Sequence, residues 1–314
     1  MDPAERVPLG RTRLDVTRLG LGLAPIGGLY APVSDDDAAR TVARGLHHGL
    51  RLFDTAPLYG HGLSERRTGA VLAQTKRDDF VLSTKVGRLL TEGDDGAQPI
   101  WAGLEPGIVP RFDFSYDGVM RSFEQSLARL GLDRIDILHI HDPDDHFDEA
   151  IEGACRALTE LRSSNVIGAI GVGMNQADML VRFANAGDFD CFLLAGRYTL
   201  LDRSALDELL PLCAQRGIAV IAAGVFQSGL LADPRPGATD NYSPVAAGRL
   251  VKALELQTIC IEYGVPLRAA AIQFGFTHPA ITSVIVGVRS AAEVDDAVAM
   301  MAHPIPAELW ERLT

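Results

Sequence analysis

The sequence predicts an α/β fold: a (β/α)8 TIM barrel with a short N-terminal β-hairpin, built as one domain over residues 1–314. Three observations predict it. Eight short apolar runs recur along the chain, each followed by a stretch with helical spacing, the alternation expected of βαβ units around a parallel sheet. The length suits the fold, because α/β barrels commonly occupy about 250 residues as one domain. The competing doubly wound sheet would open its first helix on a Gly-x-Gly-x-x-Gly turn, and none follows the first strand.

The elements follow in order. VPLGRTRLDV alternates in short segments about Gly10 and Arg11 and reads as the hairpin. LGLGLAPIGG is the first strand with its loop. Ser34 followed by Asp35, Asp36 and Asp37 resembles a capping box with an acidic first turn, and opens a helix to about His48. RLFDT is the second strand, 64–73 the second helix and FVLSTK the third strand. Over 116–130, Val119, Met120, Phe123, Leu127 and Leu130 recur at helical spacing, and Gly131 stops the helix. The fourth strand is 135–141, followed by a helix over 147–161. VIGAIGVG is the fifth strand and 177–186 its helix. CFLLA is the sixth strand, with 204–215 helical and ended by Gly217. IAVIAAGV is the seventh, followed by helices over 245–263 and 268–276. TSVIVG is the eighth, and 291–301 is the last long helix. Residues 89–113 and 231–244, rich in Gly, Pro and Asp, read as long functional loops.

Composition bounds the function. A hydrophobic content of 47% can bury a large core, and a net charge of −12 disfavours nucleic acid and anionic membranes as partners. Cys155, Cys191, Cys213 and Cys260 are scattered without a CxxC pair, so buried reduced thiols are expected rather than a disulfide framework or zinc site. MDPAERVPLG lacks the apolar core of a signal peptide, and no uncharged apolar run reaches the ~18 residues of a membrane span. A cytoplasmic protein acting on a small-molecule substrate is expected. Nothing in the sequence fixes an oligomeric state.

In such a barrel the active site lies at the C-terminal ends of the strands. Asp54 ends the second strand and Tyr59 follows in its loop, Lys85 ends the third and His141 the fourth. An Asp and a Lys at the barrel mouth should pair, because a partly buried charge needs a partner. A Tyr beside that ammonium is expected to have a pKa below its usual ~10, and so to exchange a proton nearer neutral pH. His141 would polarise or orient an oxygen at the same point. Each residue alone has a plain alternative: a helix cap for the Asp, solvation for the Lys, packing for the Tyr. His139 shares the face of His141, and with Asp142 and Asp144 nearby could suggest a metal site. No third ligand stands at metal spacing, so core filling is the reading for His139.

FDTAPLYGHGLSERRTGAVL, LSTKVG and DILHIHDPD together resemble the aldo-keto reductase family over nearly the whole chain. The resemblance implies Tyr59 as general acid/base, Lys85 tuning it, Asp54 holding Lys85 and His141 orienting the substrate oxygen. It also implies a nicotinamide cofactor that exchanges the hydride. The family's Ser-Asn on strand five is replaced by Gly173 and Met174, with Asn175 available for the carboxamide. Its strand-six Gln is Ala195, and the aromatic after strand seven is Ala223. FQSGLLA resembles the pyrophosphate loop, with backbone N–H groups of Ser228, Gly229 and Leu230 facing phosphate, or else it is an ordinary turn. After strand eight, Gly287 and Glu293 stand where the family keeps a basic pair. A carboxylate accepts from a ribose 2′-OH and repels a 2′-phosphate, which favours NAD, with NADP possible through Arg289. Trp101, and Trp310, would line the pocket or pack.

RFDFSYDGVMRSFEQSLARLGLDRIDILHIHDPD, GVGMNQ and FQSGLL resemble a narrower branch, that of D-threo-aldose 1-dehydrogenases and pyridoxal 4-dehydrogenase. The branch implies oxidation of a cyclic hemiacetal to a lactone, with an L-fucose-like aldose as the leading substrate and pyridoxal as the alternative. A general NADPH-dependent carbonyl reductase and a non-catalytic nicotinamide-binding subunit are the remaining readings.

Overall fold

The apolar runs pair in parallel and close on themselves. The computed structural model describes residues 1–94, 100–240 and 243–313. Strands β1 (Arg6–Pro8) and β2 (Asp15–Thr17) form an antiparallel hairpin. The chain then runs through β3 (Leu19–Gly22), α1 (Asp35–His47), β4 (Leu52–Asp54), α2 (Leu63–Leu72) and β5 (Val81–Val86). Next come β6 (Arg88–Glu92), β7 (Ile108–Phe112), α3 (Tyr116–Leu130), β8 (Ile137–His141), α4 (Phe147–Glu149) and α5 (Arg156–Ser163). Then follow β9 (Ala169–Met174), α6 (Ala177–Ala186), β10 (Cys191–Ala195), α7 (Leu209–Arg216) and β11 (Ala219–Ala223). The rest comprises β12 (Thr239–Asp240), β13 (Ser243–Pro244), α8 (Ala247–Glu262), α9 (Leu267–Phe274), β14 (Ile281–Gly287), α10 (Ala291–Ala302) and α11 (Ala307–Leu313). Strands β3, β4, β5, β8, β9, β10, β11 and β14 form a closed parallel barrel in that cyclic order. Among the described residues, no helix is long and apolar enough to cross a membrane.

Side chains alternate inward and outward along each strand. Leu52, Val81, Ile137, Ala169, Cys191, Leu193, Ala219, Ile221 and Ile285 fill the interior, and Leu9 and Val16 of the hairpin join that cluster. Most of these are the first residues of their strands, so the hairpin plugs the N-terminal end of the barrel. Burying each large side chain contributes about 1.5–3 kcal/mol. The seam that completes the barrel is β14 against β3, where Val284 opposes Leu19 and Gly287 opposes Gly22. The Ser283 hydroxyl donates across it to the Thr17 carbonyl at 2.7 Å.

Local chemistry explains the helix ends. Ser34 caps α1 by accepting from the Asp37 N–H, and Ser115 caps α3 by accepting from the Gly118 N–H. Gly131 ends α3 at φ 62°, a conformation that favours glycine.

Four readings of the sequence are corrected. The segment 89–113 contains the antiparallel pair β6–β7 rather than a structureless loop, and within 231–244 β12 pairs with β13. Residues 95–99 and 241–242 of those segments lie outside the described residues. The helix over 147–161 is interrupted by a π-helical stretch, Ala150–Cys155. Gly153 lies there against the Phe114 carbonyl, an approach that a side chain would block. Residues 204–215 are a 3-10 turn and then α7, because Pro211 has no N–H to donate and is accommodated in a first turn. Helix α11 was not expected.

Candidate active site

The C-terminal rim of the barrel collects the polar residues of β4, β5 and β8. Lys85 Nζ donates to Asp54 Oδ2 at 2.7 Å and to the Thr55 carbonyl at 2.9 Å. Ser83 donates to the other Asp54 oxygen at 2.8 Å. Lys85 and Asp54 are buried, so each charge depends on the other. Burial raises the Asp54 pKa, and Lys85 and Ser83 oppose the rise.

Tyr59 is placed by backbone contacts. A Cβ on Gly27 would stand 2.9 Å from the Tyr59 carbonyl, and one on Gly60 (φ 62°) would collide with the Gly27 oxygen. The loops after β3 and β4 therefore cross at a pair of glycines. Lys85 Nζ lies 4.6 Å from the centre of the Tyr59 ring. The His141 ring meets Tyr59 edge to face, with centroids 5.8 Å apart. The structure thus brings Asp54, Tyr59, Lys85 and His141 together.

The Tyr59 pKa does not fall as expected; it is pushed well above its usual value. Burial of the ring is the largest cause, and the Asp54 and Asp142 carboxylates add to it against Arg88. The Lys85 charge that was to favour the phenolate is already engaged by Asp54. His141 is pushed well below its usual value by burial and by Lys85, Arg88 and His139, so its imidazole is neutral near pH 7.

A second charge pair, which the sequence reading missed, stands beside the first. Arg88 Nη2 donates to Asp142 Oδ2 at 3.1 Å, and the same oxygen is 3.6 Å from His141 Nε2. Arg88 also lies over the Phe112 ring at 4.4 Å. Asp142 has φ 43°, a left-handed backbone uncommon for a residue other than glycine. The signal in the sequence was position alone: Arg88 follows Lys85 by three residues, and Asp142 follows His141 directly.

Trp101 is 8% exposed and its ring lies 5.8 Å from that of Tyr59. It is held by strand-like bonds: Tyr30 N–H to the Ile100 carbonyl at 2.7 Å and Ala102 N–H to the Gly28 carbonyl at 2.8 Å. Trp310 is partly buried against the main core, away from this cluster. His139 is fully buried beneath Lys85, neither ring nitrogen has a hydrogen-bond partner, and burial takes its pKa down to about 3.

The opposite half of the rim is built from small residues. Ala195, Ala223, Gly287 and Gly22 end β10, β11, β14 and β3, and Gly173 is the last residue but one of β9. Their side chains are a hydrogen or a methyl group, so this side of the rim carries no bulky or charged group at these positions. Asn175 lies just past β9, its carbonyl accepting from Arg197 Nε at 2.7 Å. Beyond β11, Gln227, Ser228 and Gly229 are three successive left-handed residues, φ 49°, 54° and 97°. The Gly229 and Leu230 N–H groups are donated to the Phe226 and Gln227 carbonyls, so any phosphate contact by these two would require the turn to open. At α10, Ser290 caps Glu293, and the Glu293 carboxylate accepts from the Arg289 N–H at 2.8 Å.

Comparison with known proteins gives the same direction. A sequence model of the Aldo/keto reductase family matches residues 18–314. The chain is 43% identical to pyridoxal 4-dehydrogenase of Microbacterium luteolum, over 99% of this chain and 96% of that one. It is 40% identical to D-threo-aldose 1-dehydrogenase of Pseudomonas sp, over 96% and 94% respectively. Among solved structures, the holo form of an aldo-keto reductase from Bacillus halodurans matches with a TM-score of 0.78 at 27% identity, over 98% of this chain and 95% of that one.

Proposed function

Because the chain belongs to the aldo/keto reductase family of NAD(P)-dependent oxidoreductases, we propose that it oxidises the anomeric hydroxyl of an L-fucose-like aldose to a lactone. The observation that carries this reading is the Tyr59 ring held between Lys85 and His141, opposite the small residues of the rim. Tyr59 takes the anomeric hydroxyl proton. Lys85, held by Asp54, supplies positive charge behind the Tyr59 ring. Neutral His141 donates to the substrate oxygen and orients it. A nicotinamide held on the same rim would supply the hydride acceptor for the anomeric carbon.

Asn175 would hold the carboxamide, and Ser228, with Gly229 and Leu230, the pyrophosphate. Gly287, Arg289 and Glu293 would border the adenosine. We assign NAD over NADP because the Glu293 carboxylate sits at the start of α10, where it would repel a 2′-phosphate. Trp101 would wall the substrate pocket. The whole sequence folds as one domain, and its four free cysteines suit the cytoplasm.

The second reading is pyridoxal 4-dehydrogenation, favoured by the 43% identical relative of that name. Pyridoxal also closes to a hemiacetal. Steady-state rates on a panel of aldoses and pyridoxal, each with NAD⁺ and NADP⁺, separate the two. Turnover of L-fucose supports the proposal; turnover of pyridoxal with none across the aldoses replaces it with the second reading.

A further inference from the structure

Asp142 Oδ2 stands 3.6 Å from His141 Nε2, close to where the reacting oxygen would be held, and is fixed on its other side by Arg88 at 3.1 Å. The carboxylate is partly exposed, with 31% of its side chain accessible, whereas the Arg88 side chain is 14% accessible. Arg88 is held in turn by the Phe112 ring, and the Asp142 backbone is held in its left-handed turn by an N–H bond to the Gly173 carbonyl at 3.0 Å. A carboxylate so placed accepts hydrogen bonds and donates none while ionised. The hydroxyl of an adjacent carbon in a sugar lies within hydrogen-bonding span of the reacting oxygen. Asp142 therefore lies within reach of the hydroxyl next to an oxygen held at His141.

We propose that the Arg88–Asp142 pair is a specificity determinant that binds the hydroxyl on the carbon next to the reacting one, selecting 2-hydroxylated aldoses. This rests on the functional reading above and deepens it. Arg88 holds and aims the Asp142 carboxyl group, and Asp142 makes the substrate contact. Burial pulls the Asp142 pKa upward, and the Arg88 charge and hydrogen bond oppose the rise.

The test removes each partner of the contact in turn. The purified enzyme is assayed with NAD⁺ on L-fucose and on 2-deoxy-L-fucose, as wild type and as Asp142→Asn. Asparagine tolerates the left-handed backbone, and a thermal melt shows whether the variant is folded. Wild type should prefer L-fucose in kcat/KM by roughly ten- to a hundredfold, the range of one hydrogen bond to a charged acceptor. In Asp142→Asn that preference should shrink toward unity, with the loss falling on L-fucose. As a second variant, Arg88→Met should shrink it in the same direction. If wild type oxidises both sugars equally, or if the variants slow both in equal proportion, the assignment is overturned while the dehydrogenase reading stands. If wild type oxidises neither, both fall together.

Discussion

Asp54 and Lys85 illustrate how one contact bears on both folding and the proposed chemistry. Each is buried, and each would be an uncompensated charge without the other. Asp54→Asn leaves the Lys85 ammonium without its anion, and should destabilise the fold by about 3–5 kcal/mol, as urea denaturation at pH 7 would show. Tyr59→Phe keeps the ring packing and removes the phenol, so turnover should fall by at least about a hundredfold with the melting temperature little changed. The raised Tyr59 pKa sets a sign for pH dependence. Oxidation needs the deprotonated phenol, so kcat/KM for oxidation should climb roughly tenfold per pH unit from neutrality into the alkaline range. A profile flat between pH 7 and 9 would exclude Tyr59 as the base. His139 gives an independent check, on stability. Its folded pKa of about 3 lies below the ordinary histidine value of 6.5, so between those values the unfolded chain binds the extra proton. Stability then rises with pH through that window, by about 1.4 kcal/mol per unit at most from this group. In His139→Leu the rise between pH 5 and 6.5, followed by urea denaturation, should be shallower. The convergence of Asp54, Tyr59, Lys85 and His141 was legible because Asp54 and His141 end strands, Lys85 is one residue short of a strand end and Tyr59 follows Asp54 closely. The Tyr59 pKa was not, because its sign depends on burial and on Asp142, neither visible in spacing.

At the scale of elements, periodicity served where a face alternates cleanly. Helix α3 spans the residues its apolar spacing predicts, with Ser115 and Gly131 at its ends. Strands β6 and β7 were hidden because Gly, Pro and Asp crowd the segment between them, and their pairing is written in no local pattern. Trp101 therefore could not be placed by sequence, since its position depends on a bridge to Leu29. The site depends on that bridge through one glycine. A Cβ on Gly28 (φ 94°) would collide with the Ala102 carbonyl. Gly28→Ala should loosen Trp101 from Tyr59, raising KM for substrate and red-shifting tryptophan emission. By contrast Gly131→Ala, at a position with open space around it, should cost only about 1 kcal/mol and leave KM unchanged.

The whole molecule divides its tasks between the two ends of one barrel. The hairpin closes one end with Leu9 and Val16, and the proposed reacting groups occupy the other. The eight-strand count was readable from alternation, with length and the missing Gly-rich turn favouring a barrel, and the doubly wound alternative is excluded by closure. The asymmetry of the open rim was not readable. It emerges only when small residues from five strands meet on one side and charged and aromatic ones from three strands on the other.

The seam between β14 and β3 also bears on how the protein is made. It joins the end of the chain to its beginning, as in the bond from Ser283 to Thr17, 266 residues apart. A chain growing on the ribosome cannot complete the ring until its eighth barrel strand has emerged. Until then β3 and β11 are open sheet edges, able to pair with another chain. Contacts so distant in sequence also slow the final step of folding. A premature stop between residues 223 and 281 would leave a seven-strand arc with β3 and β11 as its two exposed edges.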